Sequence, residues 1–353
     1  MFRFPQLASI KAKNYFLPTG KRFASIISDG RGKCDEKFDT SYKVCLDNDK
    51  SSVKDVTMEN VRGYEFPKVC LRYGREDAIQ HALAVGIDES YPNWAHYLDR
   101  GNTSFQILPT FLLPVANQIL LELSWQSQIM PTERCVHGEI YVKLFQPLKP
   151  DGEICFELEL VDILDKGKGT NFCYNFHGTD AAGRKIFFIE YQIYEMGVRR
   201  YSSPGGQGKS AHHPNIVPLV APPAGREPDV VLPFTAVPFD PKYFESVKSP
   251  PKDMSLFATN YHKQYYAITD KLRPEPRCHG RYYLGAVVQN ILKYFGEGDV
   301  SRFKSVKTRL SYPVSPGETI LTKAWHLGER IHFETFSKNN GNSVMKSSYI
   351  DLA

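Results

Sequence analysis

The chain has 353 residues, 42% of them apolar, enough for about two soluble domains with a real core. Its formal net charge of +5 is too mild for a dedicated nucleic-acid binder. The seven cysteines are scattered, odd in number and without a Cys-x-x-Cys, which argues against a disulfide framework or zinc knuckle and for reduced thiols.

Residues 1–50 show no clear periodicity and read as an N-terminal extension. Residues 1–28 hold no acid but carry Arg3, Lys11, Lys13, Lys21 and Arg22, as a mitochondrial transit peptide would and as any basic leader would. Glu76 to Val85 predicts a short helix stopped by Gly86. Phe105 to Trp125 is the most apolar stretch, but Pro109, Pro114, Asn117, Gln118 and Glu122 interrupt it, so no membrane span is expected. From Val136 the pattern turns to strands, near Glu139–Phe145, Glu153–Leu164 and Lys185–Tyr194.

Residues 202–228, rich in glycine and proline, read as a linker between two halves at 51–201 and 229–353. Ser203-Pro204-Gly205-Gly206-Gln207-Gly208-Lys209-Ser210 has the outline of a phosphate loop. It lacks the first glycine, and no apolar helix follows to cradle phosphate. His212 and His213 have no acidic or cysteine partners nearby, so no metal site is expected. Arg281 to Phe295 is the strongest helix, with Leu284, Val287, Val288, Ile291, Leu292 and Phe295 on one face. Strands follow near Ser305–Leu310, Thr319–Trp325, Arg330–Phe336 and Val344–Ile350.

One phrase occurs twice. Val142 to Glu153 and Val306 to Glu318 each run from alternating apolar residues through Pro-x-x-Pro to a Gly-Glu turn and a second β-rich run. The pair points to a duplicated unit, a helix followed by antiparallel strands. The expected class is therefore α+β, two fused hot-dog repeats in which curved antiparallel sheets wrap long helices.

From about Val69 onward the chain resembles the 2-enoyl-CoA hydratase 2 region of type 2 peroxisomal multifunctional enzymes, a MaoC-like double hot dog. The resemblance rests on Ala82-Leu83-Ala84-Val85-Gly86, Leu108-Pro109-Thr110-Phe111, Val136-His137-Gly138-Glu139 and Leu164-Asp165-Lys166-Gly167. It continues in Asp299-Val300-Ser301-Arg302-Phe303-Lys304 and the closing Tyr349-Ile350-Asp351-Leu352-Ala353. It implies hydration of trans-2-enoyl-CoA to (3R)-3-hydroxyacyl-CoA in fatty-acid β-oxidation. A fatty acyl-CoA is then the ligand, with no cofactor besides this thioester substrate.

The resemblance also implies ligand contacts at His137, Gly138, Lys166, Gly280 and Leu310, the last standing where the family has an aromatic. Gly280 would open the long helix, where a ligand can approach unpaired N–H groups. The family motif D-x-N-x-x-H allows two registers. Counting back from His279-Gly280 places His262 at the histidine, with Phe257 and Thr259 at the aspartate and asparagine. The second register keeps Asp270 as the aspartate. His262 and Asp270 are thus the candidate catalytic residues; their plain alternatives are a solvated histidine and an ordinary loop aspartate. A catalytically inactive acyl-CoA binder is the alternative function. The compartment implied is the peroxisome, although Asp351-Leu352-Ala353 is no Ser-Lys-Leu type address. The leader leaves the mitochondrion open, and a homodimer is left open too, because two fused halves already form a pseudo-dimer.

Overall fold

The structure, a computed structural model, describes residues 42–43, 64–127, 129–130, 135–197, 216–236, 265–266 and 277–353. The first half contains β1 (Tyr42–Lys43), β2 (Val69–Tyr73), α1 (Arg75–Ala84), α2 (Ala95–Leu98) and α3 (Leu112–Ser127). Four long strands follow, β3 (Cys135–Leu144), β4 (Gly152–Asp165), β5 (Gly169–Asp180) and β6 (Lys185–Met196). The second half contains β7 (Val230–Thr235), β8 (Tyr265–Tyr266), β9 (Arg277–Cys278) and α4 (Gly280–Phe295). It closes with β10 (Phe303–Leu310), β11 (Thr319–Leu327), β12 (Arg330–Ser337) and β13 (Ser343–Leu352).

Eleven strands form one antiparallel sheet in the order β1-β2-β4-β5-β6-β3-β10-β13-β12-β11-β7. Outward from the β3–β10 pair the two sides match. The first strand after the helix lies at the seam. The fourth, third and second follow, and a strand that precedes the helix lies beyond them. The repeated Pro-x-x-Pro phrase forms the equivalent β3–β4 and β10–β11 corners. This is the expected double hot dog. No helix among the described residues is long and apolar enough to cross a membrane.

The first half's long helix is α3, which lies inside the apolar stretch from Phe105; the short predicted helix is the separate α1. Pro114 falls in the first turn of α3, where a missing N–H leaves no intrahelical bond unmade. Leu112, Leu113, Val115, Ala116 and Leu120 are fully buried, and the polar Asn117 is buried among them, so the polar residues of α3 do not sort onto one face to give a clear helical period. In α4 the predicted stripe is inside, but Tyr282, Tyr283, Ala286 and Gln289 are buried as well. The reason is a close helix approach: a Cβ on Gly285 would stand 2.7 Å from Val85 Cγ1. Strand β5 has no counterpart among the predicted runs, because Asn171, Asn175 and Gly178 dilute its apolar signal. At Gly178 the neighbouring Phe187 ring occupies the space a side chain would need.

One sequence expectation is overturned. Cys70 and Cys155 are directly opposed on β2 and β4 and form a disulfide. Cysteines 85 residues apart in the chain become cross-strand neighbours, a proximity that linear spacing hides. Cys173 and Cys278 are buried thiols outside any disulfide.

At the seam, register opposes Lys307 to Tyr141 and Arg309 to Glu139. On the sheet face away from the helices, Lys307 Nζ lies 2.6 Å from Glu190 Oε1 and 3.1 Å from Glu139 Oε2, with its side chain 0% exposed. Arg309 Nη2 reaches Glu139 Oε1 at 2.6 Å. Gln192 Nε2 donates to Glu139 at 3.0 Å, and the Val217 backbone N–H, from the segment crossing this face, donates to Glu190 at 2.9 Å. Burial pushes the Glu139 carboxyl up, but Lys307 and Arg309 outweigh it and hold it below the usual range.

Two stability predictions follow from this architecture. Lys307→Met leaves buried Glu190 without its cation and Glu139 with Arg309 alone, and should cost about 3–5 kcal/mol by urea denaturation, with partial recovery when Glu190→Gln is added. Reducing Cys70–Cys155 should cost about 2–4 kcal/mol, because it releases a long closed loop in the unfolded chain; melts with and without reductant read this directly.

Candidate active site

The site begins with a one-residue irregularity. Pairing of β3 with β6 slips between His137 and Glu139, leaving Gly138 as the extra residue. Strand side chains alternate, so His137 and Glu139 would otherwise share a face. The bulge sends Glu139 to the outer-face charge network and turns His137 into the interior. A Cβ on Gly138 would stand 3.2 Å from the Gln192 carbonyl oxygen, so the tight bulge favours glycine.

Inside, His137 Nε2 lies 2.7 Å from Asn117 Oδ1 on α3. The amide oxygen only accepts, so Nε2 carries the proton and Nδ1 is left as a lone pair. That nitrogen is buried and has no hydrogen-bond partner among the described residues. It faces the start of α4, 3.6 Å from where a Cβ on Gly280 would lie. The His137 ring is 5.4 Å from the Tyr191 ring and 6.5 Å from that of His279.

His279 is the extended residue before α4, and its side chain makes no cap. At this entry the Tyr282 N–H donates to the His279 carbonyl oxygen at 3.0 Å, and the Gly280 N–H stands at the positive end of the helix. A Cβ at Gly280 would meet Leu310 Cδ1, so glycine lets the Leu310 side chain of β10 pack directly on the helix entry. Arg281 is only 4% exposed, and its Nη1 donates to His279 Nδ1 at 2.9 Å. His81 Nε2 lies 3.1 Å from Thr110 Oγ1 beside the same cluster. Burial first and the Arg281 charge second push both His81 and His137 down to about 3. Both rings are therefore neutral at ordinary pH.

An outward-pointing helix start, a buried guanidinium and a neutral imidazole with a bare nitrogen thus meet at one place. Such a group can polarise a carbonyl oxygen and hold a water beside it. Of the residues the sequence pointed to, His137, Gly280 and Leu310 converge, and Gly138 acts through the bulge. Lys166 lies elsewhere, in the β4–β5 turn, where Gly167 has φ 79° and donates to Asp165 Oδ1 at 2.7 Å. Its charge interacts with Cys173, Glu139 and Arg309, the outer-face side of the sheet, and burial lowers its pKa. His262 and Asp270 lie outside the described residues. Asn117, His81 and Arg281 escaped the sequence reading; a charged residue in the first turn of an otherwise apolar helix was the available signal. Among the described residues no cluster of His, Cys, Asp and Glu side chains could hold a metal ion.

With this geometry in hand, comparisons with known proteins are informative. Residues 71–197 match the MFE-2 hydratase 2 N-terminal domain, and residues 270–347 match the MaoC like domain. Peroxisomal multifunctional enzyme type 2 of Mus musculus is 29% identical over 311 residues, covering 82% of this chain and 38% of that protein. The peroxisomal enoyl-CoA hydratase 2 of Arabidopsis thaliana is 22% identical over 307 residues, covering 82% of this chain and 93% of the plant protein. The solved full-length peroxisomal multifunctional enzyme type 2 of Drosophila melanogaster superposes with a TM-score of 0.65 at 23% identity, over 82% of this chain and 48% of that one. This last likeness shows the shared fold. The chain spans less than half the length of the mouse and fly proteins.

The neutral histidines predict a pH dependence. Their folded pKa lies below the unfolded value of about 6.5, so the unfolded chain binds more protons between the two. The stability they contribute is full above about pH 6.5 and is lost as pH falls toward 3. In urea melts at pH 6 and 4, His137→Asn should flatten the wild-type slope by about 1.4 kcal/mol per pH unit.

Proposed function

This chain belongs to the MaoC-like hydratase 2 family, and on that premise we propose that it hydrates fatty trans-2-enoyl-CoA to the (3R)-3-hydroxyacyl-CoA. The carrying observation is the convergence of the α4 start at Gly280 with the bare His137 Nδ1 across the seam of the two halves. The thioester carbonyl oxygen sits against the Gly280 N–H at the positive end of α4, which withdraws electrons from the 2,3 double bond. Water held at His137 Nδ1 is placed for addition at C3. Hydration is redox-neutral and consumes only water and the thioester, so the reaction calls for no cofactor.

In this reading His262 or Asp270, on the segment leading into β9 and α4, moves the proton between water and C2. Lys166 meets a CoA phosphate at the outer rim, and Leu310 and Gly138 shape the groove. The division into halves at 51–201 and 229–353, with an extension before and a linker between, is part of the same proposal. So are a peroxisomal location and self-association as a homodimer. The named peroxisomal relatives support the compartment.

The test is loss of enoyl absorbance with trans-2-decenoyl-CoA, followed by chiral analysis of the product. Turnover giving the (3R) alcohol is expected. His262→Ala or Asp270→Ala should lower kcat by about 10²–10⁴-fold with CoA-ester binding kept. Binding without turnover in the wild type would identify an acyl-CoA binder instead. Absence of both would reject the acyl-CoA reading.

A further inference from the structure

We propose that the Tyr283 hydroxyl is a catalytic hydrogen-bond donor of this site, forming with the Gly280 N–H a pair of donors for the thioester oxygen; this deepens the hydratase reading and rests on it. Tyr283 stands three residues after Gly280 in α4. Residues at that spacing share a helix face, and helical side chains lean back toward the N-terminus. The phenol therefore reaches the open end of its own helix. Its oxygen lies 3.5 Å from where a Cβ on Gly280 would be, and His137 Nδ1 lies 3.6 Å from the same point. Tyr283 is only 3% exposed, so its hydroxyl is held in place by packing.

The two polar atoms flank the helix entry without bonding each other, because His137 Nδ1 has no hydrogen-bond partner among the described residues. A donor and an acceptor that converge without meeting suit a ligand that offers the complement of each. Burial first and the Cys278 thiol second push the Tyr283 phenol up, so it keeps its proton and serves as a donor. The imidazole of His137 is neutral and accepts. An enoyl thioester with its water fits both, the carbonyl oxygen accepting from Tyr283 and Gly280 while the water donates to His137 Nδ1. The step balances on these parts. The water oxygen bonds to C3 and the π pair moves to C2 and the carbonyl, so negative charge grows on the oxygen between its two donors. The pair then returns as C2 takes the proton the water gave up. Tyr283 keeps its own proton throughout, and its contribution is electrostatic. Preorganised donors of this kind are worth most where water is excluded.

The full-length protein is saturated with decanoyl-CoA carrying carbon-13 at the thioester carbonyl, and the carbonyl stretch is read by infrared difference spectroscopy. In the wild type the bound band should lie below its position in water. Tyr283→Phe, which removes only the hydroxyl, should move it part of the way back while decanoyl-CoA affinity changes less than about threefold. With trans-2-decenoyl-CoA the same variant should lower kcat by about 10²-fold or more, with KM within about threefold. A packing role alone would lower the urea midpoint and leave the carbonyl band in place. Replacing Tyr283 by 3-fluorotyrosine, a stronger donor of nearly the same shape, should move the band further down. A wild-type band at its position in water overturns the proposal without need of any variant and leaves the hydratase reading standing. So does a band unchanged in Tyr283→Phe. Failure of the wild type to bind any CoA ester overturns the hydratase reading as well.

Discussion

The antiparallel pairing of β3 with β10 is the constraint on which the rest of the molecule depends. It turns two repeats into one eleven-stranded sheet and brings the first half's His137 opposite the second half's helix start. Its outer face carries Lys307 between Glu139 and Glu190, wholly buried. A buried ion cluster is weak as a source of net stability, because desolvation offsets most of the attraction. It is strict about geometry, since a one-residue slip would drive Lys307 and Arg309 into the apolar side and leave the two glutamates alone. We read the cluster as a register lock, and the Val217 N–H on Glu190 ties the crossing segment to the same lock.

The bulge at Gly138 connects that lock to the chemistry. One inserted residue lets adjacent stretches of β3 serve opposite faces, Glu139 outward to the lock and His137 inward to Asn117. The two helix starts then differ. At the α3 end Thr110 is engaged by His81. At the α4 end Leu310 packs on Gly280, and the His137 Nδ1 stands beside the helix entry with no hydrogen-bond partner among the described residues. A duplicated fold has thus become unequal at its two helix starts.

Much of the fold was legible because duplication repeats its own grammar. The twin Pro-x-x-Pro corners, the apolar face of α4 and the strands after it all stand where local pattern put them. The failures have physical causes. Helix α3 buries the polar Asn117 among apolar neighbours, which blurs the helical period. Strand β5 trades apolar residues for Gly178 and asparagines because its neighbours fill the space. Cys70 and Cys155 meet only through sheet register. In the site, family resemblance pointed to His137, Gly280 and Leu310, which the fold brings close together. It did not point to Asn117 or Arg281, because their roles depend on which side of α3 and α4 faces the seam. No motif spacing encodes that.

The most direct measurement is the position of a bound substrate. The central claim is that the β3–β10 seam builds one working site at the start of α4. A crystal structure of the full-length protein with a (3R)-3-hydroxyacyl-CoA should place the thioester oxygen at the Gly280 end of α4. The C3 hydroxyl should lie within hydrogen-bond distance of His137 Nδ1. A ligand seated at the Pro109–Phe111 end of α3, or on the outer face of the sheet, would contradict the account.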